Sequence, residues 1–232
     1  MRITLPTVEG KFLRRYKRFF AEFELDDGSL VVAHCPNTGS LIGCLAAGSR
    51  AVLRDSQNDE RRMRYTFQAI RVGKTLVNVD TSLPNAAVFE AIERGLLPEL
   101  SGYAEARREV VYGKNSRIDV LLTRKSGELC YVEVKNTTYA VGRAAAFPDA
   151  VTERGLKHLG ELSRMVKKGH RAVQFFFVSR DDVDHFRPAD EVDPEYANAL
   201  RKAAKAGVEI VAYSNRVRPN SIELHRKLDV VL

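Results

Sequence analysis

Short segments rich in apolar residues, separated by turn residues, run through the first 80 residues or so and read as strands. Arg18-Phe19-Phe20-Ala21-Glu22-Phe23-Glu24-Leu25 reads as a strand that ends at Asp26-Asp27-Gly28, a hairpin signal. Ser29–His34 is its partner. Further strands fit Arg50–Arg54, Arg64–Val72 and Thr75–Val79, the last two joined at Gly73-Lys74. Five short strands with turn-rich joints predict a small OB-like barrel. Pro36-Asn37-Thr38-Gly39-Ser40 is a turn cluster whose backbone N–H groups could face an anion.

The pattern changes at Ser82-Leu83-Pro84-Asn85. Ala86–Arg94 then reads as a helix with Val88, Ala91 and Ile92 inward, Asn85 as its cap and Gly95 as its stop. Short strands follow at Arg108–Tyr112, Ser116–Leu122 and Tyr131–Lys135. Ala150–Lys168 is amphipathic, with Leu156, Leu159, Leu162, Met165 and Val166 on one side. Ala172–Val178 is an almost continuously apolar strand, Glu195–Ala206 a helix and Val208–Tyr213 a core strand. Ile222–Leu232 fits an edge. Alternating helix and strand imply α/β with a mixed sheet. The expected architecture is therefore mixed α+β, with an OB-like barrel over 1–82 and an α/β domain over 83–232.

Composition narrows the function classes. The 232 residues carry a net charge of +7 and 44% hydrophobic residues, enough for a core and biased toward polyanionic partners. Cys35, Cys44 and Cys130 are odd in number and lack metal-ligand spacing, which suits a reducing, cytoplasmic setting. No run approaches the roughly 20 apolar residues of a membrane span, and Met1–Pro6 lacks a signal peptide's apolar region. The sequence contains no Walker-type loop and no Gly-x-Gly-x-x-Gly.

The candidate chemistry lies on two predicted strands around Lys125-Ser126-Gly127-Glu128. Glu133 and Lys135 are two apart and share a strand face, with Val132 and Val134 opposite. Antiparallel pairing across the turn brings Asp119 to that face. Asp119 and Glu133 can share Mg²⁺ or Mn²⁺ with a backbone carbonyl, that of Val134, leaving the cation its waters. Lys135 can orient the attacking water or neutralise a phosphate. The plainer alternative is a hairpin with solvated charges. Glu90, on the preceding helix, is a further candidate acid, and Glu109 another. Lys11, Arg14, Arg15, Lys17 and Arg18, interleaved with Phe12, Tyr16, Phe19 and Phe20, suit a groove that tracks a nucleic-acid backbone. Arg61, Arg62 and Arg64 form a second basic cluster.

Asp119, Glu133 and Lys135 resemble the D-x(n)-E-x-K pattern of the PD-(D/E)xK nucleases, with thirteen residues between the acids. Pro36-Asn37-Thr38-Gly39, Ser116-Arg117-Ile118-Asp119, Glu133-Val134-Lys135-Asn136, Phe147–Leu159 and Gly207-Val208-Glu209-Ile210 together resemble the sugar fermentation stimulation protein A family, in order and over nearly the whole chain. The resemblance implies an N-terminal OB-like domain, a C-terminal PD-(D/E)xK nuclease-like domain and DNA binding. It also places Arg154, Lys157 and His158, which share a helical face, at the site as a phosphate clamp. His158 could instead be a proton donor. Gly155 inside that helix would admit a close backbone, of a sheet or of DNA. The expectation is a DNA-binding protein, duplex preferred over single strand, with a Mg²⁺- or Mn²⁺-dependent phosphodiester hydrolase site. The rival is a non-catalytic, sequence-nonspecific DNA-binding regulator of sugar metabolism genes. Many metal nucleases cut duplexes as dimers; a homodimer stays open, with no interface legible.

Overall fold

A computed structural model describes residues 1–113 and 116–232. Its first half is β1 (Thr7–Tyr16), β2 (Phe20–Leu25), β3 (Leu30–His34), β4 (Arg50–Asp55), β5 (Tyr65–Val72) and β6 (Thr75–Asn78). β1 pairs antiparallel with β2 and β4, β2 with β3, and β4 with β5. A short parallel pairing of β3 with β5, at Ala33–Tyr65 and His34–Thr66, closes the ring. Five strands closed in this way form an OB barrel, and β6 extends it as a hairpin with β5. The barrel's interior is dry. Phe12, Phe23 and Phe67 meet ring to ring at its centre, with centroids 4.9–5.9 Å apart.

The first strand departs from expectation. Thr7–Tyr16 is a strand of its own, and the chain reverses at Lys17-Arg18-Phe19 before β2. Lys17 and Arg18 take left-handed φ values of 48° and 62°. Neither is a residue that favours that region, so the turn left no trace in the sequence. Dense cations along β1 masked its inward Phe12.

The second half runs α1 (Leu83–Glu93), β7 (Glu105–Tyr112), β8 (Ser116–Thr123), β9 (Leu129–Thr137), β10 (Ala140–Val141), β11 (Ala144–Phe147), α2 (Glu153–Lys167), β12 (Arg171–Val178), β13 (His185–Pro188), α3 (Pro194–Lys205), β14 (Glu209–Arg218), β15 (Ser221–Lys227) and β16 (Asp229–Val230). Six strands form a mixed sheet in the order β15-β14-β12-β9-β8-β7, with β9, β12 and β14 parallel. A smaller sheet, β10-β11-β13-β16, lies beside it. The central strands of the main sheet are buried on both faces, while the edge strands β7 and β15 are largely exposed. α2 and α3 cover one face through Leu159, Leu162, Tyr196 and Leu200. α1 and the outer wall of the barrel, through Val52, Ala69 and Leu76, cover the other. Polar contacts fasten the halves: Asn78 N–H donates to the Ser179 carbonyl at 3.0 Å, and Gln68 Nε2 to that of Pro219 at 2.9 Å.

Helix starts also differ. α1 begins at Leu83 with Pro84 in its first turn, so Asn85 is inside the helix and caps nothing. α2 begins at Glu153, where Thr152 Oγ1 accepts from Gly155 N–H at 3.1 Å.

Candidate metal and nucleic-acid site

β8 and β9 pair antiparallel from Val120–Val132 outward. Among the described pairings Asp119 has none: on its other side the β7 ladder steps from Arg108–Val120 to Val110–Ile118. Glu109, the β7 residue at that gap, takes a left-handed φ of 53°. Freed from both ladders, Asp119 folds back on the site. Its Oδ2 accepts from the Val134 backbone N–H and its Oδ1 from the Asn85 side-chain amide, both at 2.7 Å.

Glu133 projects toward α2. Its Oε1 contacts His158 Nδ1 and receives Lys135 Nζ at 2.6 Å, while Lys135 Nζ lies 3.0 Å from His158 Nδ1. Facing an ammonium, Nδ1 must accept; facing a carboxylate, it must donate. One tautomer cannot make both contacts; Arg154 Nε lies 3.4 Å from Nε2 as a donor, which goes with Nδ1–H donating to Glu133. Gln174, level with Glu133 in the parallel register of β12 and β9, donates Nε2 to the Glu133 carbonyl at 3.0 Å and fixes the backbone there.

The two carboxyls experience different fields. Burial pushes Asp119 up from 3.8 to about 6, and the charge of Glu133 adds to the push. Burial also acts on Glu133, but the His158 and Lys135 contacts outweigh it and hold that carboxyl below the ordinary value. Glu133 Oε2 is buried and has no hydrogen-bond partner among the described residues. One orphaned carboxylate oxygen beside a second carboxyl that ionises at a cost is a site that gains from a cation. No cluster of three or more acids, histidines or cysteines with metal-binding geometry occurs among the described residues. A cation here would rest on Asp119, Glu133, a main-chain oxygen such as that of Val134, and water, a shell that suits Mg²⁺.

These groups floor a cleft of about 490 Å³ between barrel and α/β domain. Arg18 and Asn37-Thr38-Gly39 line it from the barrel, and Asp149, Thr152 and Arg154 from the other side. Asp149 clasps the two walls. Its Oδ2 accepts from Leu41 N–H at 2.8 Å, and a Cβ at Gly39 would strike its carboxylate. Burial pushes the Asp149 carboxyl up.

The expected site residues divide. Asp119, Glu133 and Lys135 come together on the floor, and Arg18 and Arg154 on the walls. His158 is buried behind the floor against Glu133 and Lys135, where it supports the site and does not reach a phosphate. Lys157 is exposed and does not line the cleft. Glu90 is turned away: Arg94 Nη1 lies 3.0 Å from its Oε1 and the Met1 amine 3.4 Å. Glu109 is exposed. Arg15 is committed to main chain. It donates to the carbonyls of Arg18 at 2.7 Å, Gly39 at 2.8 Å and Asn37 at 2.6 Å, so it positions a turn and has no fork left for phosphate. Arg14 is exposed and pairs bidentately with Glu22 at 2.6 and 3.0 Å. Lys17 is exposed at the β1–β2 tip. Gly155 admits neither sheet nor DNA backbone: a Cβ there would lie 2.8 Å from both Thr152 Cγ2 and Tyr196 Cε2.

Sequence reasoning missed Asn85, Gln174, Asp149 and Tyr112. Gln174 left a signal, as a lone polar residue in an apolar strand. Tyr112 left none; its hydroxyl is buried without a partner among the described residues, and burial and then Glu133 raise its pKa.

Fold and site together define an OB barrel joined to a mixed α/β domain, with two carboxyls and a lysine gathered in the cleft between them. Residues 13–79 match the profile of the SfsA N-terminal OB domain, and residues 82–221 that of the Sugar fermentation stimulation protein RE domain. The chain belongs to the sugar fermentation stimulation protein family. A homolog from Geotalea uraniireducens is 50% identical over 230 residues, covering 99% of each chain. One from Maricaulis maris is 46% identical over 233 residues, covering 100% of this chain and 99% of its own. The solved structure of Pyrococcus furiosus SfsA in complex with Ca2+ superposes with a TM-score of 0.90 at 29% identity, covering 100% of this chain and 98% of that one.

Proposed function

We propose that the chain binds DNA and hydrolyses phosphodiesters with a divalent cation at Asp119 and Glu133. The observation that carries this reading is the convergence of both carboxyls with Lys135 on the floor of a cleft walled by Arg18 and Arg154. The orphaned Glu133 Oε2 and the Ca2+ bound by the Pyrococcus furiosus relative support a hard cation with oxygen ligands. When bound, Mg²⁺ or Mn²⁺ supplies positive charge to the phosphate and acidifies the attacking water.

The chain's own groups do the rest. Lys135, half-buried beside Glu133, holds its Nζ where negative charge builds in the transition state. Asn85 and the Val134 N–H hold Asp119 in one orientation, and Gln174 holds the Glu133 backbone. Arg18 and Arg154 receive the flanking phosphates, and the net charge of +7 steers the polyanion in. We divide the labour at residue 82: residues 1–82 grip DNA, and residues 83–232 hold the cation and cut. Duplex forms the body of the substrate.

Purified protein is expected to nick or degrade DNA with Mg²⁺ or Mn²⁺ and to stop in EDTA. Lys135→Ala is expected to lower the rate on the order of 100-fold or more while DNA binding is nearly unchanged. Tight binding without cleavage of duplex, single strand or RNA would favour the non-catalytic regulator.

A further inference from the structure

The β1–β2 tip presents an aromatic to solvent on a backbone held fixed. Phe19 is 45% exposed. Its carbonyl accepts from Cys35 N–H at 2.8 Å and its N–H donates to the Lys17 carbonyl at 2.7 Å. Arg15 ties the Arg18 carbonyl to the 37–39 turn, and Asp149 ties the segment following that turn, at Leu41, to the α/β domain. Lys17 and Arg18 stand in the left-handed region without being glycine. Two residues in the left-handed region cost stability and a half-exposed phenylalanine forgoes part of the gain of burial, yet three side-chain hydrogen bonds from a buttressing arginine preserve the arrangement. Such an outlier points to use.

The surroundings say what would use it. Tyr16 and Phe20 stack beside the tip at 5.4 Å and 12°, and the Arg62 guanidinium lies 5.9 Å from the Phe20 ring. Lys17, Arg18 and Arg62 have no carboxylate within ion-pair distance among the described residues. Arg18 itself lines the cleft that holds Asp119 and Glu133. An exposed ring bordered by unpaired cations is complementary to a base with its phosphate. A paired duplex keeps its base faces stacked inside and offers none to a ring.

We propose that Phe19 stacks on an unpaired base of a DNA strand whose backbone runs past Arg18 into the cleft. The substrate class is thereby DNA with an unpaired segment beside the scissile phosphate, such as a flap, a gap or a frayed end. This inference rests on the DNA-binding reading and not on hydrolysis.

The protein contains no tryptophan, so Phe19→Trp places a single reporter at the tip. Oligothymidylate and a blunt-ended duplex, each end-labelled, are titrated in EDTA while tryptophan emission and label anisotropy are followed together. Oligothymidylate is expected to quench the emission in step with binding, and the duplex to bind without quenching. Phe19→Ala is expected to lose about ten-fold in affinity for the single strand and to keep its affinity for the duplex. Unchanged emission at saturating single strand, or equal losses on both ligands, would overturn the stacking proposal and leave DNA binding intact. Emission that depends on protein concentration instead would assign the tip to a second copy of the chain and also overturn it. If neither ligand binds, the DNA reading itself fails. Because EDTA excludes hydrolysis, an absence of cleavage elsewhere has no bearing on the result.

Discussion

Asp119→Asn is expected to make the metal-free protein more stable at neutral pH. In the folded chain the carboxyl ionises near 6 against an ordinary 3.8, chiefly because of burial and then the Glu133 charge. That rise is roughly two pH units, and at about 1.4 kcal/mol per unit it costs on the order of 3 kcal/mol once the group is ionised. The sign follows from proton binding. The folded state holds the Asp119 proton more tightly than the unfolded state, so this group supports folding fully below about pH 4 and its support is lost as pH rises through about 6. Asparagine keeps the shape and the contacts: its oxygen accepts from Val134 N–H, and Asn85 can turn its amide to accept from the new NH₂. Denaturant melts of parent and variant in EDTA, from pH 4 to pH 8, read the effect. The variant should lead by about 1–3 kcal/mol at pH 8, with the difference gone at pH 4. Saturation with Mn²⁺ at a hundred times its dissociation constant adds about 2.7 kcal/mol to the parent and closes the gap. A variant that is less stable than the parent at pH 8 in EDTA, or that gains equally from Mn²⁺, would refute the view that Asp119 is held in wait for a cation.

Two further outcomes follow from the cleft and its supports. Charge reversal at Arg18 or Arg154 is expected to weaken DNA binding alike for all sequences and to lower the slope of log K against log salt by about one each, whereas Lys157→Glu, away from the cleft, should change it less; fluorescence anisotropy across salt concentrations checks both. Gly155→Ala should destabilise by about 1–3 kcal/mol in thermal melts despite the roughly 1 kcal/mol that alanine gains in a helix, because the new methyl meets Thr152 and Tyr196 at 2.8 Å.

Much of this was legible because it is local or periodic. The barrel's β2 to β5 followed from short apolar segments and the turn residues between them, and the Asp119, Glu133 and Lys135 grouping followed from a two-residue spacing and one hairpin. What escaped depended on contacts distant in sequence. Asn85 follows Pro84 and looks like a cap, yet the site 34 residues on claims its amide. Arg15 looks like a phosphate ligand by type, but three carbonyls satisfy it. Glu90 has the right chemistry on the wrong side of α1, where the Met1 amine and Arg94 take it. The strands of the small sheet are two to four residues long, too short to show a period.

Whether a cation sits between the two carboxyls is decided by anomalous diffraction from a crystal soaked in Mn²⁺, with Asp119→Asn as the control. A peak in contact with both Asp119 and Glu133 in the parent, lost or much weakened in the variant, is the expected result. At saturating Mn²⁺, no peak there, or one touching neither carboxylate, would contradict the assignment of this site as a metal centre.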